Sequence, residues 1–323
     1  MRKNEQVKKW IEDHLNVKET AITQAKEGFF NEVFIVQVNE QRVVVRLCRQ
    51  QDRTIQELEA EMLWLDHLSS YDIAVATSFK TTGGRSVFPF TYNGESYWLC
   101  LFEHTKGQPV DVIDTTVWNE SLFHEWGKQL ASLHCVDMLG IQGRRSGFEK
   151  LQQMELEEEW LRQAFQRLMN QMSGWEQNAE VYGFIHHDLH QGNFHIREGK
   201  LIVFDFDDCG NHFYAQDLAV SIYHALWTGT SFHPNWDDFP SVFLHSFLSG
   251  YTSKKTLSRI VLEQVLVSMQ MREVFLYSLF KNTWDMDGLE DWQKWKLNEL
   301  ENNIRNNKVP FHSVMEASLY LFG

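Results

Sequence analysis

The segment 184–208 contains oxygen-bearing side chains whose spacing would let them act together. Two short β-branched runs, 194–196 and 201–204, predict a hairpin, with Asn193 directly before the first run and Asp205 directly after the second. In an antiparallel hairpin, the residue that enters the first strand lies beside the residue that leaves the second, so we expect Asn193 and Asp205 to lie close together. An amide and a carboxylate at one point suit Mg²⁺, which prefers oxygen ligands and usually keeps several water molecules.

Asp188 precedes this predicted metal site by a short loop that contains Gly192. Its carboxylate is therefore within reach of a hydroxyl group beside a metal-bound phosphate. Phosphoryl transfer uses a carboxylate that orients the hydroxyl and accepts its proton, while metal ions hold the phosphate oxygens in line. The three residues predict phosphoryl transfer from a metal-bound nucleotide to an alcohol.

The elements before this segment predict a small α+β lobe. Runs 33–38 and 43–47 indicate one hairpin, and the turn signal Asn93-Gly94 indicates another between 86–92 and 95–102. Between the hairpins, apolar residues at spacings of three and four predict an amphipathic helix: Ile55, Leu58, Met62, Leu65 and Leu68.

From residue 103 the pattern changes to long helices, which follow the linker-like segment 105–109. Apolar residues at helical spacing mark one helix over 118–133 and a buried helix over 262–279. The predicted hairpin next to Asp205 interrupts this helical part. We therefore predict two domains, 1–102 and 103–323.

The predicted catalytic and metal-binding residues also form a pattern known from other proteins. His186-x-Asp188-x-x-x-x-Asn193, followed by Asp205-Phe206, resembles the catalytic and metal motifs of the aminoglycoside phosphotransferase and choline kinase group. Residues 204–209 are most similar to the branch with type II homoserine kinases, hydroxylysine kinase and the bacterial stress response kinase. The resemblance, which spans about 28–279, implies a bilobal, protein-kinase-like α+β fold with nucleotide in the cleft. The small β-rich N-terminal lobe would bind nucleotide, and the large, mostly helical C-terminal lobe would bind the acceptor.

The resemblance implies a role for each residue of the motif. Asp188 would be the catalytic base, and His186 would support the conformation of its loop. Asn193 and Asp205 would be the magnesium ligands. Asp217, in the sequence Gln-Asp-Leu-Ala, matches an aspartate that tethers the catalytic loop, so its implied role is structural.

In the small lobe the resemblance implies a nucleotide site. Arg46 falls where the phosphate-binding lysine of the kinase strand belongs, and Glu61 aligns with the glutamate that holds that cation. We expect the two to form an ion pair. The hinge, where backbone groups would contact adenine, corresponds to Phe102, Glu103 and His104.

Three positions depart from the family pattern. No G-x-G-x-x-G is present, and Gly28 and Asn31 stand in the segment where the phosphate-covering loop belongs. Arginine replaces lysine at position 46, and the two cations differ in hydrogen-bond geometry. His187 stands where the family usually has glycine.

Two further interpretations stay open. Asp207 and Asp208 are either a capping and turn pair or contacts to a second metal ion or a cationic substrate. Several histidines near Asp188 invite a zinc interpretation. The loop conformation that Gly192 indicates does not place them on one helix face, which disfavours zinc.

The composition limits the classes of partner. The net charge is −14 and Lys and Arg are scattered, which argues against nucleic acid, because binding phosphates needs clustered cations. No stretch reaches the roughly 20 apolar residues of a membrane span, and residues 1–15 carry charges where a secretory signal is apolar. The four cysteines include no C-x-x-C pair, as expected for reduced thiols. We expect a cytoplasmic protein whose acidity favours a cationic ligand.

The predicted reaction is transfer of the γ-phosphoryl group of ATP to a hydroxyl of a small molecule, with Mg²⁺ as cofactor; GTP as the donor stays open. The favoured acceptor is an amino acid, an amino alcohol or an aminoglycoside-like compound. One alternative is a Ser/Thr protein kinase of the stress response kinase type, which needs an open groove for a polypeptide. Another is a nucleotide-binding regulator without catalysis, against which the intact Asp188, Asn193 and Asp205 weigh.

Overall fold

The computed structural model describes residues 2–17, 21–24, 31–71, 73–136, 147–153 and 156–322. Of these, the residues up to 107 together with 202–204 form one compact unit, and the rest form a second. The first unit is rich in strands and the second is mostly helical. The predicted α+β class with a kinase-like fold is confirmed.

The first unit is built on a five-stranded antiparallel sheet with strand order β1-β2-β3-β5-β4. Its elements are α1 (Lys3–Leu15), β1 (Ala21–Gln24), β2 (Glu32–Val38), β3 (Gln41–Arg49), α2 (Ile55–Ser70), β4 (Val87–Tyr92) and β5 (Glu95–Glu103). Val7 and Ile11 of α1 are fully buried in one apolar cluster with residues of β2, β3, β4 and β5. The apolar side of α1 therefore covers one face of the sheet.

Local sequence signals account for the connections in this unit, and both predicted hairpins are confirmed. Asn39 (φ 53°) turns the chain between β2 and β3, and Asn93 (φ 49°) with Gly94 (φ 84°) turns it between β4 and β5. Asparagine and glycine accept such left-handed angles at the lowest cost. Helix α2 begins with a capping box in which Thr54 and Glu57 each accept a backbone N–H of the other.

The second unit carries α3 (Glu120–His134), α4 (Gly147–Gln153), α5 (Glu159–Ser173), α6 (Tyr214–Phe232), α7 (Phe239–Thr252), α8 (Arg259–Thr283), α9 (Asp291–Arg305) and α10 (His312–Phe322). Its short strands are β6 (Gln108–Pro109), β7 (Tyr182–Ile185), β8 (Phe194–Arg197), β9 (Lys200–Val203) and β10 (Gly210–Phe213). β7 pairs with β10, and the order of the other sheet is β6-β8-β9. The predicted hairpin is therefore present as β8 and β9, joined by Glu198 and Gly199, both with positive φ.

Helix α3 begins later than the apolar pattern predicted. Asn119 is its N-cap, because its Oδ1 accepts hydrogen bonds from the backbone N–H groups of Ser121 (3.0 Å) and Leu122 (3.3 Å). Trp118, which we expected in the first turn, precedes the helix and is fully buried. Its side chain continues the apolar face although its backbone is not helical.

Two glycines let helices α3 and α7 approach closely. A Cβ on Gly127 would lie 1.8 Å from the carbonyl oxygen of Phe247, and a Cβ on Gly250 would lie 1.9 Å from that of His124. Any larger residue at either position would force the helices apart. This contact fixes α3, which contributes a residue to the site below.

Helix α9 exposes large aromatic side chains. Trp292 is 53% exposed and Trp295 is 60% exposed, three residues apart on one face. By contrast, Trp64, Trp118 and Trp126 are at most 1% exposed.

Candidate active site

The loop between β7 and β8 carries the predicted catalytic residues, and α6 fixes its beginning. Asp217, in the first turn of α6, is fully buried and accepts the backbone N–H of His186 at Oδ2 (2.7 Å) and of His187 at Oδ1 (2.6 Å). Burial alone would raise the pKa of Asp217, but hydrogen bonds from His134 and His186 lower it. The carboxylate is therefore ionised and ties the start of the loop to the helix.

His134, on α3, is a part of this anchor that sequence reasoning missed. Its Nε2 donates to Asp217 Oδ2 (3.1 Å), and its Nδ1 accepts from the hydroxyl of Tyr251 (2.9 Å). Burial lowers the pKa of His134, which favours the neutral ring, and the carboxylate of Asp217, which can only accept, places the proton on Nε2. One carboxylate thus joins the loop, α3 and α6.

The histidines of the loop have separate structural contacts. The Nδ1 of His186 accepts the backbone N–H of Asp188 (3.3 Å), and its ring packs on Phe206 with centroids 4.4 Å apart. His187 has φ 74°, in the left-handed region where glycine is favoured. A histidine at this angle is strained, whereas a glycine would adopt it without that cost.

Both carboxylate oxygens of Asp188 have partners. Oδ1 accepts a hydrogen bond from Nη2 of Arg272 (2.6 Å), and Oδ2 accepts one from Nδ2 of Asn193 (3.2 Å) and lies 3.5 Å from Nε2 of His190. Burial would raise the pKa of Asp188, but the charge of Arg272, followed by His190 and His224, holds it well below its usual range. With its side chain 29% exposed, Asp188 is an ionised carboxylate that a ligand can reach.

The predicted metal ligands flank the hairpin. Asn193 directly precedes β8, and Asp205 follows β9 by two residues, so both lie at the same end of it. The amide nitrogen of Asn193 donates to the carbonyl oxygen (2.8 Å) and to Oδ2 of Asp188, which leaves its Oδ1 as the group for a cation. Asp205 has φ 63°, another left-handed residue at a turn.

This donor set fits Mg²⁺. One amide oxygen and one carboxylate are hard ligands that leave room for water and phosphate oxygens. Among the described residues, no group of three or more His, Cys, Asp or Glu side chains is placed to hold a metal ion. Asn193 and Asp205 would hold the ion, which would draw charge from the phosphate oxygens.

Asp207 and Asp208 belong to a short 3₁₀ turn, Phe206–Asp208, that directly follows Asp205. Asp207 is 8% exposed. Asp208 lies beside His187, and a Cβ on Gly147 would lie 2.8 Å from His187 Nδ1 and 2.9 Å from Cβ of Asp208. Their position in a turn agrees with the turn interpretation, while a contact with a second cation stays a prediction.

In the first unit, Arg46 and Glu61 form the expected ion pair. Nη1 of Arg46 donates to Oε1 of Glu61 (3.0 Å) and Nη2 donates to Oε2 (2.5 Å), in the two-point geometry typical of arginine. The guanidinium also lies 4.9 Å from the ring centroid of Phe102. Arg46 is 4% exposed and Glu61 is fully buried, so the pair is an internal feature of this unit.

The predicted hinge is engaged in the fold of the first unit. The backbone N–H of Glu103 donates to Thr77 O (2.9 Å), and that of His104 donates to Arg42 O (3.3 Å). These two amides would have to exchange partners to bind adenine, so the hinge role stays a prediction. Asn31 directly precedes β2, whereas Gly28 lies outside the described residues.

Arg272 and His224 belong to the surroundings of Asp188, and sequence reasoning assigned neither of them to the site. Arg272 lies on α8 and His224 on α6, far from the motif along the chain. The available signal was a charged pair, Arg272-Glu273, within the apolar pattern of a helix predicted to be buried. Because buried charges need partners, this pair pointed to a polar centre.

Comparisons with known proteins show the family and the fold. Residues 21–251 match the model of the phosphotransferase enzyme family. Amicoumacin kinase of Bacillus subtilis (strain 168) is 28% identical over 287 residues, which are 85% of this chain and 84% of the relative. The solved structure of amicoumacin kinase hAmiN with AMP-PNP, Ca²⁺ and Ami superposes with a TM-score of 0.82 at 23% identity, covering 96% of both chains. The microcompartment-associated aminopropanol kinase gives a TM-score of 0.70 at 20% identity, covering 92% of this chain and 94% of that one.

The fold and the loop thus define a kinase-like phosphotransferase. The chain belongs to the phosphotransferase enzyme family, as the motif predicted. Its reaction is ATP-dependent transfer of a phosphoryl group to a hydroxyl of a small molecule, a reaction that uses a divalent metal ion. Within the described part of the chain, no helix is both long and apolar enough to cross a membrane.

Proposed function

We propose that Asp188 is the base of this reaction and that Asn193 and Asp205 hold the Mg²⁺ of Mg-ATP. The observation that carries the proposal is the direct contact between Asn193 and the carboxylate of Asp188, since one hydrogen bond couples the predicted metal ligand to the predicted base. An acceptor hydroxyl at Asp188 then lies beside the metal-bound phosphate, which is the arrangement that phosphoryl transfer requires.

The remaining site residues have supporting roles in this proposal. His186 and Asp217 hold the loop. Arg46, kept in place by Glu61, binds nucleotide phosphates. The region 1–102 binds nucleotide, with Gly28 and Asn31 near the phosphates and 102–104 at the adenine, and 103–323 carries the acceptor site. The protein works in the cytoplasm.

The acceptor in this proposal is a small amine-containing alcohol. The net charge of −14 favours a cationic ligand, and Asp207 and Asp208 are the carboxylates next to the metal site that could meet an ammonium group. The names of the similar proteins point the same way, since they are kinases of amicoumacin and of aminopropanol. A peptide acceptor, as in a protein kinase, is the alternative outcome.

A screen for ADP release tests the acceptor class. It compares amicoumacin, 1-amino-2-propanol, homoserine, hydroxylysine, choline, spectinomycin and a generic Ser/Thr peptide with Mg-ATP as the donor, and with Mg-GTP in parallel. We expect one of the amines to exceed the peptide by orders of magnitude. Turnover of the peptide alone would replace the small-molecule acceptor by a protein, and no turnover at all would favour a nucleotide-binding regulator.

The substitution Asp188→Asn tests the base. It keeps the shape of the side chain but cannot accept the proton, so kcat should fall by about 10²-fold or more, because positioned bases contribute roughly 10²- to 10⁴-fold. Affinity for Mg-ATP should stay within about 3-fold, since a loss confined to kcat marks an interaction made in the transition state. Single-turnover transfer and calorimetric Mg-ATP binding give the two values. Equal transfer rates in native and variant protein would remove Asp188 from the mechanism.

A further inference from the structure

Arg272 and Asp188 both belong to the second unit, and their side chains contact each other directly. It lies on α8, 84 residues after Asp188, and its Nη2 donates to Asp188 Oδ1 at 2.6 Å. Its side chain is only 7% exposed, so the guanidinium has left water to make this contact. The neighbouring Glu273 does not neutralise it, since Glu273 Oε1 accepts from Tyr223 (3.3 Å) and Asn303 (3.0 Å).

The contacts around Asp188 close into a ring of four side chains. Nε and Nη2 of Arg272 lie 3.0 Å and 2.7 Å from Nε2 of His224, which holds the guanidinium from α6. His224 stacks on His190 with centroids 4.8 Å apart, and Nε2 of His190 lies 3.5 Å from Asp188 Oδ2. We call Arg272, His224 and His190 the Asp188 clamp. The clamp contacts both oxygens of the carboxylate, Arg272 at Oδ1 and His190 at Oδ2, and so resists rotation of that group.

A clamp of this kind matters for transfer because the carboxylate must meet the hydroxyl in one orientation. A displacement of about 1 Å at a reacting group can cost about 10²-fold in rate. Asn193 alone would hold one oxygen of Asp188 and leave the plane of the carboxylate free to turn. Arg272 holds the other oxygen, Oδ1. A charge-assisted hydrogen bond from arginine is stronger and more directional than a neutral one.

We propose that Arg272 is a positioning residue for the base, orienting the carboxylate of Asp188 toward the acceptor hydroxyl while His224 holds its guanidinium. This inference rests on the proposed role of Asp188. It assigns no contact with the nucleotide, so the binding of Mg-ATP does not depend on Arg272. A purely structural ion pair would instead affect folding and leave the rate of transfer in the folded protein unchanged.

The test is a double-mutant cycle with the best acceptor from the screen. Arg272→Gln should lower kcat by about 10- to 100-fold, with the KM for Mg-ATP within about 3-fold of native. In the Asp188→Asn background the same substitution should cost less than about 2-fold, because Arg272 acts through Asp188. Arg305→Gln is the matched control: this arginine of α9 pairs with Glu301 and lies over Trp160, away from Asp188, and its loss should leave kcat unchanged.

Two more measurements separate positioning from folding. Added guanidinium ion should restore part of the kcat of an Arg272→Ala variant, an effect that a stability defect would not show. Should Arg272→Gln not fold, the cycle uses Arg272→Lys, which keeps the charge but not the planar fork. We then expect a lower kcat at unchanged KM for Mg-ATP.

The outcomes distinguish this inference from the function on which it rests. A large loss in Asp188→Asn with a native kcat in Arg272→Gln, or in the lysine variant, overturns the positioning role alone. Equal losses from Arg272→Gln with and without Asp188→Asn also overturn it, because the two residues would then act independently. A native rate in Asp188→Asn, or no acceptor in the screen, overturns the proposed function and the inference with it.

Discussion

At the scale of single residues, the role of each carboxylate in the site depends on its hydrogen-bond donors and its burial. Asp217 accepts two backbone N–H groups and a histidine and becomes an anchor, whereas Asp188 accepts from arginine and asparagine side chains and stays partly open to solvent. The same functional group thus serves two purposes. The difference lies in burial, since Asp217 is fully buried and a ligand cannot reach it.

Asp205 should contribute to metal binding and not to the stability of the fold. Asp205→Ala should lower affinity for Mg-ATP by about 10-fold or more and abolish turnover, while the melting temperature without nucleotide stays close to native, because the residue stands in a turn at a hairpin end. Calorimetric titration with Mg-ATP and thermal unfolding measure both effects. Asp287→Ala, in the exposed connection between α8 and α9, serves as the control. Native Mg-ATP affinity in the Asp205 variant would contradict the metal assignment.

At the scale of elements, α8 does two things with adjacent residues. Arg272 contacts Asp188, while Glu273 is only 1% exposed: its Oε1 accepts two hydrogen bonds, but its Oε2 has no hydrogen-bond partner among the described residues. Burial raises the pKa of Glu273 to about 7, although Asn303 and Lys296 act in the opposite direction. The helix therefore carries a carboxyl group that is protonated in the folded protein under mildly acidic conditions.

This pKa predicts how stability depends on pH. The folded protein holds a proton on Glu273 that the unfolded chain releases, so the stabilisation is complete below the ordinary pKa of 4.5 and is lost as pH rises through about 7. Glu273→Gln keeps an acceptor for Asn303 without the ionisation. It should match the native protein at acidic pH and exceed it above neutrality, by an amount on the order of 1–3 kcal/mol.

Unfolding by denaturant at both ends of this pH range measures the difference. Glu263→Gln is the control, because Glu263 lies on the same helix but is exposed and pairs with Arg259 at the surface. A stability difference between Glu273→Gln and native protein that does not change with pH would rule out titration of this group.

Sequence reasoning reached the elements whose signals are local. The hairpins follow from Asn39, Asn93 and Gly199 together with the short β-branched and apolar runs beside them, and the hairpin β8–β9 in turn located Asn193 and Asp205. Four-residue strands such as β1 and β7 are too short for a periodic signal. His134, His224 and Arg272 come to the loop through packing between helices, and spacing along one chain does not encode such contacts.

At the scale of the whole molecule, the charge bears on the acceptor. With a net charge of −14, the protein should draw a cationic acceptor from solution, and salt should weaken this attraction as the Debye length falls from about 30 Å at 0.01 M to about 3 Å at 1 M. We expect kcat/KM for an amine acceptor to fall roughly 10-fold over that range. Its N-acetyl derivative, which keeps the hydroxyl but not the charge, should change little. Equal salt dependence of the two compounds would contradict a cationic acceptor.

The unequal burial of the tryptophans gives the molecule two optical signals. Trp64, Trp118 and Trp126 are shielded from solvent, so their fluorescence should peak at short wavelength and resist a collisional quencher such as acrylamide. Trp292 and Trp295 on α9 are exposed, and their emission should be red-shifted and readily quenched. Because other tryptophans are of intermediate exposure, the comparison that isolates α9 is the native emission minus that of a variant with Trp292→Phe and Trp295→Phe. A compound that binds to this helix would change mainly that difference signal, and no attached dye is needed to observe it.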